Sequence, residues 1–421
     1  MSIPFKYRVF TFLSILFIAS IVVLTEIYSL FFWLVVVLAL VILGYMSYLL
    51  RPVKSKKEKK LSKPPFISII VPVKDEERVI EDLIKDVLSQ TYQKYELIIV
   101  DDFSKDRTFE IIKLYEKNYS PKIRVIRKRK GFPSGKASSL NLATKSAKGD
   151  WLLVLDADSR IKKNFLEIAT KHLSNEELVA AQVAKMISNR RRNWLTRQQY
   201  NEFLIDYSVQ LGKEESQGCV ELKGNGSFIK KDFLEKTNGW DTTSIAEDLE
   251  LSTRIITKGK KIKFIKDAAV YEQAVTNIKD LFHQRTRWIE GSLLRYLKYL
   301  PFLFSRRIPL KKKIDFVFFA SEFMVPLWVF FDIFYQFFRV ATGKSLKFLN
   351  LSVILSILSV VMISQMIRGF VLRKMKKPFF LIKNSFSTAL YLLHWFPVVV
   401  YTAFHVIFSR RQKKWRIARR S

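Results

Sequence analysis

Phe66-Ile67-Ser68-Ile69-Ile70-Val71-Pro72-Val73-Lys74-Asp75-Glu76-Glu77 is a β-branched run that stops abruptly on acids. A short apolar run bounded by polar residues makes a buried strand. The pattern recurs downstream. Tyr95–Val100 is followed by Asp101 and Asp102, and Trp151–Leu155 by Asp156, Ala157 and Asp158. Between these runs Val79–Leu88, Thr108–Lys117 and Lys136–Ala147 have helical spacing, and Ile123–Ile126 reads as a short strand. Strand and helix alternating at this spacing imply a mostly parallel α/β sheet. In such sheets ligands bind outside the carboxyl ends of the strands. A single Asp after a strand is usually a turn residue or a helix N-cap. Three acidic strand ends together point at one crevice. Uncompensated carboxylates there are costly unless a hard divalent cation joins them. Lys128, Arg129 and Lys130 add positive charge beside the same ends.

Outward from this block the chain changes character. Of 421 residues 49% are hydrophobic and 26% charged, which separates into apolar blocks and charged blocks. Phe10–Thr25 and Leu30–Leu50 flank a short polar break, and each approaches the ~20 residues that cross a bilayer. A helical hairpin with both ends cytoplasmic fits them better than a cleaved signal, because the second run is too long for a signal core. After about Leu281, Leu293–Phe304 is amphipathic. Phe316–Phe338 and Leu349–Ile367 have the length of spans. Phe379–Phe408 is apolar around Asn384, His394 and Pro397, long for one crossing and short for two. The net charge of +34 comes from 72 Lys and Arg against 38 Asp and Glu. These basic residues crowd beside apolar runs, at Arg51–Lys63, Arg306–Lys313, Arg368–Lys377 and Arg410–Arg420, as inner-leaflet anchors do. That placement argues against nucleic acid as the partner. The single cysteine, Cys219, excludes an internal disulfide and a Cys-based metal cluster. His172, His283, His394 and His405 have no metal-ligand spacing.

Six motifs in order resemble glycosyltransferase family 2, the inverting enzymes of GT-A fold, over about Ile67–Ser292. Ile69–Glu77 is similar to V-P-x-x-N-E-E, with Asp75 where the family usually has Asn. Val100–Thr108 matches D-D-x-S-x-D-x-T, Gly135–Asn141 matches G-K-x-x-x-L-N, and Asp156-Ala157-Asp158 matches D-x-D. Gly239-Trp240-Asp241 followed by Ala246-Glu247-Asp248-Leu249-Glu250-Leu251 resembles G-[FW]-D and T-E-D-x-x-L, with Ala246 in place of Thr. Gln284-Arg285-Thr286-Arg287-Trp288 is a full Q-x-x-R-W.

The resemblance implies roles. Asp102 would contact the nucleotide base, with Pro72 and Glu76 shaping its pocket and Lys136 near the base or diphosphate. Asp158 would hold Mg²⁺ or Mn²⁺ on the diphosphate, and Asp156 would support the ribose or sugar side. Asp248 would be the general base, taking the acceptor's proton as it attacks the anomeric carbon. Glu247, Trp240, Gln284, Arg287 and Trp288 would line the acceptor and diphosphate end. Apart from the resemblance, Glu247-Asp248 could merely offset a helix dipole, Trp240 could be core, and Gly224-Asn225-Gly226-Ser227 a plain turn. In the family context that turn reads as an acceptor-side loop.

The expected architecture is a GT-A-type α/β domain, a Rossmann-like mixed sheet, flanked by transmembrane helices at both ends. Its parts are an N-terminal hairpin over 1–51, a basic cytoplasmic linker over 52–65 and the catalytic domain over 66–292. An interfacial segment over 293–313, a transmembrane region over 314–409 and a basic tail over 410–421 complete it. The expected protein is a multi-pass cell-membrane enzyme with its catalytic domain cytoplasmic. It would transfer sugar from a nucleotide-diphosphate donor, UDP ahead of GDP, to form a β-glycosidic bond on a glycan or lipid acceptor. The motif set and trailing helices favour processive polysaccharide synthesis, with single transfer to a membrane lipid as the alternative.

Overall fold

The computed structural model describes residues 3–27, 33, 37, 40, 41, 44, 45, 64–173, 177–306, 308–346 and 378–409. The span read at Leu349–Ile367 and the tail over 410–421 lie outside the described residues, as do nearly all of the basic linker and most of the second apolar run after Leu30. The described residues form two compact units: those within Lys54–Phe203 and Cys219–Thr276, and those within Met1–Val53, Leu204–Gly218 and Asn277–Lys414.

The first unit is a sheet of eight strands in the order β3-β2-β1-β4-β7-β6-β8-β5. The strands are β1 (Ile67–Val73), β2 (Tyr95–Asp101), β3 (Ile123–Arg127), β4 (Trp151–Val154), β5 (Arg160–Ile161), β6 (Leu178–Ile187), β7 (Ser227–Lys230) and β8 (Lys261–Glu272). The half read from sequence is parallel: β1 pairs with β2 and β4, and β2 with β3. Every residue of β1 and β2 is buried, as continuous apolar runs covered on both faces require. The other half is mixed. β7 runs antiparallel to β4 and β6, while β6 and β8 are parallel. Pro72 fits inside the sheet because the β4 ladder reaches only Ile70, leaving no bond for its missing N–H on that side.

Helices connect and cover the sheet: α2 (Ile80–Leu88), α3 (Thr108–Tyr119), α4 (Lys136–Ser146), α5 (Phe165–Thr170), α7 (Lys231–Glu235) and α8 (Glu247–Thr257). In α2 the residues Ile80, Leu83, Ile84 and Val87 are buried at 3.6-residue spacing, while Glu81 and Lys85 pair on the outer face. The core runs through β1, β2 and β4 to Phe165 and Phe228. At the amino ends of the strands a buried polar group is fully partnered: Glu96 accepts from Ser68 Oγ at 2.6 Å, from Arg124 at 2.7 Å and from the backbone of Lys148 at 2.7 Å. That end is scaffold.

The second unit is helical: α1 (Phe5–Ile27), α9 (Ile278–Tyr299), α10 (Leu310–Ala341), α11 (Pro378–Leu392) and α12 (Trp395–Phe408). The helix α6 (Trp194–Glu215) contributes to both units. Ile15, Ile18, Leu327, Ala403 and Ile407 form one apolar contact cluster and Ile289, Tyr296, Phe323, Val398 and Val399 another. The amphipathic stretch at Leu293–Phe304 is the end of α9, closed by a 3₁₀ turn over Leu300–Phe304 that contains Pro301. The long run Phe379–Phe408 breaks between α11 and α12 at Leu393 and His394. Among the described residues three helical stretches, Phe5–Leu24, Leu310–Ala341 and Lys383–Phe408, are long and apolar enough to cross a membrane.

Candidate active site

The site lies at the carboxyl ends of β1, β2 and β4, all within the sheet unit. The turns that follow β1 and β2 hold each other. The Asp75 N–H donates to Ser104 Oγ at 3.0 Å, and the Lys105 N–H donates back to Asp75 Oδ1 at 2.6 Å. The Glu76 N–H donates to Thr108 Oγ1 at 2.7 Å, and the Glu77 N–H to Asp106 Oδ2 at 3.1 Å. The serine, aspartate and threonine of the second motif are thus partners of the first motif's backbone.

Asp102 closes the β2 end. It is 2% exposed, and its carboxylate receives three donors: Lys128 Nζ at 2.8 Å, Ser134 Oγ at 2.9 Å and the Gly135 N–H at 2.8 Å. Lys128 also donates to the carbonyls of Pro133 and Gly135. Burial pushes the Lys128 ammonium below the usual lysine range, and the Asp102 carboxylate offsets part of that. Asp102 therefore pins the loop over 128–135 that starts α4. Glu76 is buried beside it in the β1 turn.

That loop delivers Lys136, the first residue of α4, to a second group of acids. Lys136 Nζ lies 2.5 Å from Asp156 Oδ1 and 3.9 Å from Glu247 Oε1. Burial alone would push Lys136 down. Asp156, Glu247 and Asp248 more than reverse this and hold it above the usual lysine range. Gly224 marks the convergence. With φ +72, a methyl group there would sit 3.1 Å from Asp248 Oδ2 and 3.3 Å from Lys136 Nζ. Glu247 and Asp248 open α8, whose N-terminal dipole favours negative charge.

The D-A-D turn after β4 is fixed by Asn225, which is fully buried. Its Oδ1 accepts from the Asp156 N–H at 3.3 Å and from Ser159 Oγ at 2.7 Å. Its Nδ2 donates to Glu272 Oε2 at 3.2 Å, and Glu272 pairs with Lys185 at 3.0 Å. The following N–H, of Gln273, approaches Asp158 Oδ2 at 3.4 Å. The turn read as an acceptor-side loop is thus bonded to the D-A-D backbone. The signal for it, G-N-G-S, was visible; its partners, Gln182, Glu272 and Lys185, carried none.

Among the described residues, then, Asp156, Glu247, Asp248 and Lys136 meet in one cleft, with Asp158 two residues from Asp156. Asp102 is tied to it through Gly135 and Lys136, and Pro72 and Glu76 flank the β1 end. Trp240 is 3% exposed, its backbone N–H and C=O both held by Asn141 at 2.8 Å, so its ring lies in the core. Asn141, the last residue of its motif, therefore clamps the Gly239-Trp240 turn. Gln284, Arg287 and Trp288 belong to the helical unit and share one face of α9. Arg285 beside them is fully buried, 4.0 Å over the Trp288 ring and 5.3 Å over Trp395. No three His, Cys, Asp or Glu side chains among the described residues form a closed metal cluster.

Comparison with known proteins identifies the family. The profile of glycosyl transferase family 2 matches residues 68–237. A beta-monoglucosyldiacylglycerol synthase of Nostoc sp. is 31% identical over 354 residues, 83% of this chain and 75% of that protein. A poly-beta-1,6-N-acetyl-D-glucosamine synthase of Staphylococcus aureus is 26% identical over 278 residues, 64% of each. The fold matches a solved mannosyltransferase from Pyrobaculum calidifontis, in complex with GDP-Man and Mn²⁺, at a TM-score of 0.63 and 16% identity, over 92% of this chain and 99% of that one. With its acidic strand ends, motif order and GT-A sheet, the chain belongs to glycosyl transferase family 2 and is a hexosyltransferase using nucleotide sugars.

Proposed function

We propose that the protein is a membrane-embedded inverting enzyme that moves one sugar from a nucleotide-diphosphate donor to a membrane lipid, forming a β-glycosidic bond. The observation that carries the chemistry is the meeting of Asp248 and Lys136 against Gly224, with Asp156 paired to the same lysine. In this reading Asp248 takes the proton of the acceptor hydroxyl as that oxygen attacks the anomeric carbon. The bond to the nucleoside diphosphate breaks on the opposite face, so an α-linked donor gives a β-linked product. Lys136 faces the departing diphosphate and needs no acid beside it. Glu247 keeps Lys136 charged, and Asn225 holds the D-A-D turn in register.

Asp156 and Asp158 fit a divalent cation, Mg²⁺ or Mn²⁺, because they offer hard oxygen donors in a turn where Asp156, Glu247 and Asp248 gather around Lys136. Bound there, the cation would neutralise charge on the leaving diphosphate. The solved mannosyltransferase of similar fold carries Mn²⁺. Two protein carboxylates leave room for diphosphate oxygens, in line with the lack of a closed cluster among the described residues.

Two features support the membrane reading. Three stretches have spanning length, and the helical unit exposes large apolar side chains such as Phe17, Phe334, Phe337 and Phe408. The basic residues beside those stretches favour a cytoplasmic sheet unit, with the catalytic domain over 66–292. For the acceptor, the lipid glucosyltransferase of Nostoc is the closer of the two relatives described and matches more of the chain. This moves the balance from chain building to single transfer. The Staphylococcus polysaccharide synthase keeps processive synthesis as the second reading.

The deciding experiment incubates purified full-length protein in detergent with Mn²⁺, diacylglycerol and a panel of UDP- and GDP-sugars. Nucleoside diphosphate release and product mass are both followed. A lipid carrying one hexose is the expected product. A ladder of sugars would favour the second reading, and no diphosphate release from any donor would sink both.

A further inference from the structure

Phe103 stands in the turn after β2 with φ +62. A bulky aromatic in the left-handed region is an outlier, because its Cβ crowds the backbone carbonyl. Such strain persists only where neighbours over-determine it, and it clusters at ligand sites. The neighbours here are explicit. The Asp102 N–H donates to the Val73 carbonyl at 2.9 Å. The Ser104 N–H donates to Asp101 Oδ1 at 3.2 Å, and Ser104 Oγ accepts from the Asp75 N–H at 3.0 Å. The residue is clamped on both sides at the carboxyl edge of the sheet.

Phe103 is half-buried, and among the described residues packed on the sheet core Phe109 appears and Phe103 does not. Meanwhile the neighbouring Asp102 carboxylate is engaged by Lys128, Ser134 and Gly135 and is 2% exposed, leaving it little capacity for a further donor. A nucleotide bound at this edge gains from a contact beyond that carboxylate. We propose that Phe103 is the platform for the donor's base, its ring stacking on the heterocycle, and that the backbone strain is what presents it. The inference rests on the nucleotide-sugar reading of the site. Stacking tolerates any heterocycle, since every base has a π-face. The ring would therefore supply affinity and leave the choice between UDP and GDP to polar groups.

The test uses full-length protein purified in detergent with Mn²⁺, comparing Phe103→Leu, Phe103→Tyr and Phe103→Gly with wild type. Binding of UDP and of inorganic pyrophosphate is measured by calorimetry, alongside thermal melting. Removing one base–aromatic stack weakens binding by roughly tenfold. Phe103→Leu should show that loss for UDP and leave pyrophosphate unchanged, and Phe103→Tyr should keep wild-type affinity. Phe103→Gly should lose UDP affinity while melting no lower than wild type, because glycine adopts positive φ freely. Equal UDP affinity in Phe103→Leu and wild type would overturn the proposal. So would a joint loss of UDP and pyrophosphate binding with a lower melting temperature, which marks a purely structural side chain. A wild-type protein that binds neither UDP nor GDP would instead remove the donor reading, and this inference with it.

Discussion

At the end of β2, Asp102 is met by one ammonium and two neutral donors and is sealed from solvent. At the end of β4, Asp156 pairs with Lys136, and Glu247 and Asp248 act on the same ammonium, so three carboxylates share it. The two strand ends share a residue type and differ in balance. The first acid is neutralised within the fold and spends itself on shaping a loop. The second set gathers three carboxylates around one lysine in a half-buried cleft, where a cation from outside is stabilised. The two ends differ in how a lysine is shared: one carboxylate to Lys128 at β2, three around Lys136 at β4.

The largest effect belongs to the second set. Asp248→Asn keeps the shape and removes the proton acceptor, so transfer should fall by about 10²–10⁴. UDP binding should stay within roughly twofold, because the base contributes to chemistry and not to holding the nucleotide. Retained turnover in that variant would remove Asp248 as the base and merge the two strand ends into one class.

The lysines test the comparison directly. Lys128→Met leaves Asp102 buried without its charge partner, a loss of roughly 3–5 kcal/mol for a broken buried pair. Divalent metal should restore none of it. Lys136→Met should also lower the melting temperature, but millimolar Mn²⁺ should restore it. In wild type the raised Lys136 pKa sets an alkaline edge. Its stabilisation is complete below the unfolded lysine value of about 10.4 and fades only as pH rises beyond that. Melting curves with and without Mn²⁺ near pH 7 decide the matter. If Mn²⁺ rescues both variants or neither, the distinction between the ends is wrong.

A smaller effect is expected where the second set is held in place. Asn225→Ala frees the Asp156 N–H and Ser159 Oγ, so the D-A-D turn loses its register. Groups that orient metal ligands are worth about 10–100-fold in metal affinity. The Mn²⁺ concentration for half-maximal turnover should rise by about that factor, while the rate at saturating Mn²⁺ changes less. An unchanged Mn²⁺ requirement would detach Asn225 from the cation.

Much of this could be read from the chain, and the rest could not, for reasons of distance. β1, β2 and β4 announce themselves as apolar runs ending in acids because both faces of each are covered. β6, β7 and β8 do not. β4 pairs with β7 across the 72 residues 155–226, and β6 pairs with β8 over a similar separation. No local pattern specifies either. The same holds within the site. Asp102 and Asp156 look alike in sequence, each an acid after a strand. What distinguishes them is Lys128 and Ser134, 26 and 32 residues downstream of Asp102, and Asn225, 69 residues downstream of Asp156. Trp240, expected at the acceptor end, is held in the core by Asn141, 99 residues away along the chain. Motifs named the residues; partners far along the chain set what each one does.

The smallest effect should come from the one departure in the first motif. Asp75 stands where the family usually has Asn, and its φ of +52 explains why either serves. Asn and Asp are the non-glycine residues that enter the left-handed region most readily. The contact that fixes the turn is the Lys105 N–H donating to Asp75 Oδ1 at 2.6 Å, and an asparagine carbonyl accepts that hydrogen just as well. The Asp75 side chain is exposed, so its charge is screened by water and adds little to the carboxylate cluster at the β4 end. Asp75→Asn should therefore melt within about 0.5 kcal/mol of wild type and keep its Mn²⁺ requirement. Asp75→Val, unable to accept the hydrogen bond and β-branched at positive φ, should lose about 2 kcal/mol or more. If Asp75→Asn instead shifted the Mn²⁺ requirement, the cation's carboxylate cluster would extend across β1, and the boundary between scaffold and chemical acids would have to be redrawn there.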